Sequence, residues 1–157
     1  MALSDELLGR FVSEAIAEGL VDATFTEIDS PVGRLTVVQS ARGVCRVSFP
    51  EEAQDHVLAS ISDAIGPRVL RSDREMKDAA ERLQAYLTGD IDDLRVPVDM
   101  RLVRSEFQRQ VLAELQKVGR GDVTTYGQLA ARIGRPRAVR ATGTALGRNP
   151  IPIVVPC

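Results

Sequence analysis

The sequence predicts an α+β protein, a small N-terminal strand-and-helix domain over residues 1–98 followed by a helical domain over residues 99–157 that contains a helix-turn-helix. Three observations carry this. Residues 23–49 alternate apolar and polar side chains between turn residues, the period of half-buried strands. Residues 105–147 repeat a short pattern of helical period, each time with a start signal before it. Charge divides at the same place: residues 101–157 hold ten Lys/Arg and three Asp/Glu, residues 1–100 hold ten and nineteen, and the whole chain carries only −2.

The elements follow in order. An N-terminal helix is expected over about residues 3–18, capped by Ser4, with an apolar stripe of Leu7, Leu8, Phe11, Val12, Ala15 and Ile16 and a stop at Gly19. Three strands then run from Ala23 to Phe49, with turns at Ser30-Pro31 and Arg42-Gly43. In "GVCRVSF" the alternation groups Cys45 with Val47 and Phe49 on a buried face. One helix is expected over 54–65, before Gly66-Pro67, and another from about Asp73 to Gly89. "DDLRVPVDM" reads as an extended connection.

In the basic part, Ser105 and Gln108 are spaced as a capping box, with Phe107, Val111, Leu112 and Leu115 facing inward. "TTYGQLAARIG" repeats the design, with Thr125 as cap and Gln128 reaching back. A further helix is expected to restart at once, with Pro136 in its first turn. On that helix Arg137, Arg140 and Thr144 form one polar stripe, and Val139, Gly143 and Leu146 form another face. The chain then closes with "NPIPIVVPC", which reads as a short buried strand that brings Cys157 to the edge of a core.

Composition narrows the function. With 44% hydrophobic and 27% charged residues the chain is an ordinary globular one, and no apolar run approaches the roughly 18 residues that span a bilayer. No leader with a basic start and an apolar stretch is visible, so no membrane partner and a cytoplasmic location are expected, in the nucleoid of a prokaryote or the nucleus of a eukaryote. Cys45 and Cys157 are too few for a disulfide framework, and with His56 as the single histidine no metal site is expected. Neither a G-x-G-x-x-G nor a Walker pattern occurs. A basic helical module beside an acidic one points to a polyanion, nucleic acid above all, although a salt-bridged interface between the halves would give the same asymmetry.

"FQRQVLAEL" and "TTYGQLAARIGRPRAVRATGTALGRNPIPIVVPC" together resemble the C-terminal domain of the O6-alkylguanine-DNA alkyltransferases, almost continuously from Phe107 to Cys157. "SPVGRLTVV", "GVCRVSF" and "LQAYLTGDID" look like that family's N-terminal module. The resemblance implies direct, stoichiometric and irreversible transfer of an alkyl group from O6-alkylguanine in DNA, with O4-alkylthymine as a second candidate lesion, to Cys157. The damaged base is flipped out from the minor groove because its O6 cannot be reached in the stack. On the same grounds Arg140 fills the vacated stack, and Tyr126, with Thr125 beside it, presses the 3′ phosphate into rotation. Asn149 orders the turn that holds the cysteine, and Arg137 and Thr144 contact phosphate and groove. The implied partner is double-stranded DNA carrying alkylated bases, the thiol needs no cofactor, and a monomer is expected.

In the family the cysteine is followed by His-Arg, a pocket-lining loop and a final helix, the histidine drawing off the thiol proton through water. The sequence stops at Cys157, so the expectation is a truncated member that transfers slowly or not at all as written, since general-base assistance is worth about 10²–10⁴-fold in rate. Two other readings are a non-catalytic DNA-lesion-binding protein and an unrelated helix-turn-helix regulator with an acidic sensing domain. The second leaves "NPIPIVVPC" unexplained.

Overall fold

The computed structural model describes residues 5–157, so the expected cap Ser4 lies outside the described residues. Helix α1 (Asp5–Ala17) meets the chain around residues 71–75, where Ser13 Oγ donates to Glu75 Oε1 at 2.6 Å. That contact is too narrow to cover the whole expected stripe. Val12 and Ala15 are buried, while Leu7, Leu8 and Phe11 are exposed.

The three expected strands form as β1 (Ala23–Ser30), β2 (Gly33–Ser40) and β3 (Gly43–Ser48), each antiparallel to the next. A fourth strand, β4 (Val69–Arg71), lies parallel to β1 and completes the order β3-β2-β1-β4. Three residues are too few to show alternation, which is why the sequence predicts no element there. β4 also delays the next helix. Ser72 N still donates to Phe25 O, and Asp73 accepts from Thr26 Oγ1 at 2.6 Å, so helix α3 starts at Lys77 and not near Asp73.

One register irregularity redistributes the core. Gln39 pairs with Val44 while Val38 pairs with Arg46, which leaves Cys45 as the extra residue of a β-bulge. The bulge breaks the alternation, so Cys45 does not share a face with Val47. It packs with Ala23, Val38, Val57 and Ile61 under helix α2 (Gln54–Ala64). Its burial, with the nearby Asp99 charge, pushes the Cys45 thiol up to about 12. On the opposite face Leu35, Val37 and Val47 pack against Leu83 of α3 (Lys77–Thr88), and the same cluster continues through Leu112 and Leu129 to Ile151 and Val155.

The segment after α3 ties the halves together along β3. Val44 N donates to Pro97 O at 2.8 Å and Asp99 N donates to Val44 O at 2.9 Å. Gly43 permits this approach, since its φ is 133° and a Cβ there would stand 2.3 Å from Pro97 O. Asp99, buried at 3% exposure, accepts from Ser40 Oγ and from Arg101. A short 3-10 turn (Met100–Leu102) then leads to three helices, α4 (Glu106–Leu115), α5 (Tyr126–Arg132) and α6 (Val139–Gly147). Among the described residues no helix is long and apolar enough to cross a membrane.

Burial alone would push the Asp99 carboxyl up, but hydrogen bonds from Arg101 and Ser40 outweigh it and hold it below its ordinary 3.8. A depressed carboxylate stabilises the fold above its unfolded-state value, and the stabilisation is lost as pH falls through the lower folded-state value. Asp99→Ala should therefore cost about 2–3 kcal/mol at neutral pH, because it strips Arg101 and Ser40 of a buried partner. In urea unfolding the gap between variant and parent should narrow below pH ~4; a gap independent of pH would contradict the assignment.

Candidate functional site

Local sequence builds a helix-turn-helix. Thr125 caps α5 in a complete capping box: Gln128 N donates to Thr125 Oγ1 at 3.1 Å, and Thr125 N donates to Gln128 Oε1 at 2.9 Å. Gly134, at φ 72°, turns the chain out of α5. α6 begins at Val139, so Pro136 and Arg137 lie in the connecting turn and not in the helix. Arg137 is thus exposed ahead of the helix, while Arg140 and Thr144 are exposed one turn apart on it, with Thr144 Oγ1 donating to Arg140 O. Thr142 and Ala145 of α6 are buried; of the face with Val139, Gly143 and Leu146, Leu146 packs against the main core while Val139 is 41% exposed.

Two contacts seat α6 that the sequence does not reveal. The Tyr126 ring lies on Gly143, where a Cβ would come within 3.1 Å of Tyr126 Cε2. Gln108 does not close the expected capping box with Ser105. Ser105 does accept from Gln108 N, but the Gln108 amide reaches across 37 and 40 residues to donate to Ala145 O and Arg148 O. Those are carbonyls at the end of α6, which a helix leaves unpaired. The later carbonyls outcompete the local partner.

The closing segment is a turn and not the expected strand. Prolines at 150, 152 and 156 remove three backbone donors, so ladder pairing cannot propagate. Asn149 replaces it: Oδ1 accepts from Ile151 N at 3.0 Å, and Nδ2 donates to Val155 O at 2.9 Å. The same Nδ2 stands 3.5 Å from Cys157 Sγ. Ile151, Val154 and Val155 are buried, and Pro150 O accepts from Val47 N of the sheet. Cys157 is exposed.

The thiol lies in an open cleft of about 570 Å³ whose near wall is Tyr126, Leu129, Leu146 and Pro156. The far wall is Tyr86 of α3 and the loop 118–124 after α4. Arg120 pins that wall, with its guanidinium 5.0 Å over the Tyr86 ring and Nη1 donating to Tyr86 O and Ile91 O. Tyr86 and Arg120 were outside the sequence expectation; only an odd arginine between two glycines hinted at them. Cys157, Tyr126 and Asn149 thus meet at one place, Thr125 caps the same helix that Tyr126 starts, and Arg137, Arg140 and Thr144 lie on the neighbouring surface of the turn and α6. Among the described residues no cluster of His, Cys, Asp and Glu could hold a metal.

The chain matches the family model of the 6-O-methylguanine DNA methyltransferase ribonuclease-like domain over residues 24–100, and that of the DNA-binding domain over residues 106–157. It is 33% identical over 133 residues to a methylated-DNA–protein-cysteine methyltransferase of Mycolicibacterium paratuberculosis, covering 85% of this chain and 74% of that one. A Haemophilus influenzae protein of the same name is 30% identical over 138 residues, covering 85% and 70%. Among solved structures, Mycobacterium tuberculosis OGT in complex with DNA superposes with a TM-score of 0.70 at 30% identity, covering 85% of this chain and 75% of that one.

Asn149→Ala should leave Ile151 N and the buried Val155 O without their partners, a loss of about 1–3 kcal/mol for each orphaned group. Hydrogen exchange at Ile151 should accelerate well beyond exchange at Leu112 in the core of α4. Equal acceleration at both would mean global unfolding and not release of the turn.

Proposed function

The chain belongs to the 6-O-methylguanine DNA methyltransferase family, and on that ground we propose that it repairs DNA by moving the alkyl group of an O6-alkylguanine directly onto Cys157. The observation that carries this reading is the placement of an exposed thiol in a cleft walled by Tyr126, whose ring rests on the helix that presents Arg140. A reactive sulfur and a basic helix-turn-helix share one neighbourhood, as a reaction on a DNA base requires.

The step balances simply. The Cys157 sulfur attacks the alkyl carbon, an S–C bond forms as the C–O6 bond breaks, and the bond's electron pair goes to the base. The thiol's proton ends on the guanine ring, which stays in its strand as ordinary guanine. The protein keeps a thioether, and no step restores the thiol, so each molecule reacts once. Because O6 of a stacked guanine is out of reach in line, the nucleotide must leave the stack. Arg140 would occupy the gap, while Tyr126 and Thr125 would press the neighbouring phosphate round. Arg137 and Thr144 would hold backbone and groove, contacts that set register and not sequence. Asn149 would keep the sulfur's turn closed. A DNA substrate implies work in the nucleoid or the nucleus.

Incubation with duplex carrying O6-methylguanine should place one methyl group per molecule on the Cys157 peptide, read by mass spectrometry. Cys45 should stay unlabelled, because burial and the Asp99 charge keep it a neutral thiol. A methyl group on Cys45, or several lesions repaired by one molecule, would refute the mechanism.

Arg140→Ala tests the flipping step separately. Flipping costs a few kcal/mol, so losing the residue that fills the stack should slow transfer from duplex DNA about ten- to a hundredfold. Reaction with free O6-benzylguanine, which needs no flipping, should hardly change. Equal losses on the two substrates would remove Arg140 from that role.

A further inference from the structure

Between Asn149 and Cys157 the chain carries Pro150, Pro152 and Pro156, each of which fixes its own φ near about −65°. The reversal that brings Val155 back beneath Ile151 is therefore left to the residues between prolines. Ile153 makes it. Its φ is 74°, and among the described residues it is the one non-glycine with a positive φ. With the chain so reversed, Val155 N donates to Ile151 O at 2.9 Å, and Val155 O is free to take the Asn149 amide.

An isoleucine is an expensive choice there. L-residues in the left-handed region bring Cβ against the following carbonyl, and β-branched ones are genuine outliers. Glycine would adopt the same backbone with no such clash. What isoleucine adds is its side chain, half-buried against the main core beside Val154 and facing the groove that holds Leu94, Val96 and Val118. Meanwhile the Cys157 sulfur has, among the described residues, a single side-chain hydrogen bond, from Asn149 at 3.5 Å. Its place is set by the backbone behind it.

We propose that Ile153 is a positioning residue for the alkyl transfer: its anchored side chain holds the left-handed turn in one conformation and so fixes where Pro156 and the Cys157 sulfur stand against Tyr126. The inference rests on the function proposed above. Glycine at this position leaves the turn sterically easy but unanchored, so the sulfur samples several positions. An in-line displacement tolerates this poorly, since a misplacement of about 1 Å costs on the order of a hundredfold in rate.

The test is Ile153→Gly in single-turnover transfer from methylated duplex, with DNA affinity and amide exchange measured alongside. Transfer should slow about ten- to a hundredfold, exchange at Val155 should quicken, and DNA affinity should hold because α5 and α6 are untouched. Ile153→Val, which keeps a branched anchor, should restore most of the rate. Parent-like transfer by Ile153→Gly overturns the proposal, and so does an Ile153→Val variant as slow as the glycine one. Loss of DNA affinity in step with rate also overturns it, since the side chain would then serve the fold at large. A parent protein that neither binds methylated duplex nor transfers an alkyl group sinks the function reading itself, and the Val155 exchange then still reports whether Ile153 anchors the turn.

Discussion

The Asn149 amide is the interaction on which the site depends. It makes a pair of bonds in opposite directions, accepting from Ile151 N and donating to Val155 O, and those two residues lie among three prolines that have given up their own donors. Buried backbone groups must find partners, and here one side chain supplies what a strand neighbour would have supplied. A carboxylate could accept but not donate, and an apolar residue could do neither. The same nitrogen is the sulfur's hydrogen-bond donor. Since Asn149 N itself donates to Leu146 O, the last turn of α6 and the cysteine turn are joined at one residue.

That junction stands on a foundation supplied by the other half of the chain. Ile151 and Val155 are fully buried in the cluster that includes Leu35, Val37 and Val47 of the sheet. Pro150 O takes its hydrogen bond from Val47 N, at the strand whose bulge turns Cys45 to the far face. The sheet contributes no reacting group. It contributes rigidity, because a packed interior gives little when one side chain moves, and Tyr86 and Arg120 extend that rigidity to the cleft's far wall. The strand-and-helix half is a support for the thiol as much as a separate unit.

Much of this was legible because local chemistry and global fold agree. Thr125 and Gln128 satisfy each other within one turn of helix, so their spacing in the sequence is their geometry in the structure. The three strands of the β1–β3 meander and the Gly89 stop of α3 are local in the same sense. Gln108 is the contrary case, with the same spacing and a different outcome, because two helix-end carbonyls forty residues on were available to it. β4, the late start of α3, the bulge at Cys45 and the late start of α6 all arise from distant pairing or from a shift of a few residues. Periodicity cannot register either. The closing strand failed for another reason: the expected burial occurs, but the prolines at 150, 152 and 156 lack the donors that a ladder needs.

The charge asymmetry has a specific structural meaning. Were the acidic and basic halves complementary, ion pairs would bridge them. Among the described residues the bridge across residue 98 is Arg120–Asp92, at 3.6 Å and largely exposed. The other acidic groups in ion pairs find cations close by in their own half, as Asp22 does with Arg68 and Asp99 with Arg101. Arg104, Arg132, Arg135, Arg137, Arg140 and Arg148 are all exposed and take part in no ion pair among the described residues. Unpaired guanidiniums at a helix-turn-helix are costly to keep close together unless a polyanion neutralises them, and DNA does so with release of its counterions. The acidic half, whose other ion-paired carboxylates find their cations within it, repels the same polyanion. The chain's small net charge therefore conceals an uneven one, with the excess of positive charge gathered in residues 101–157.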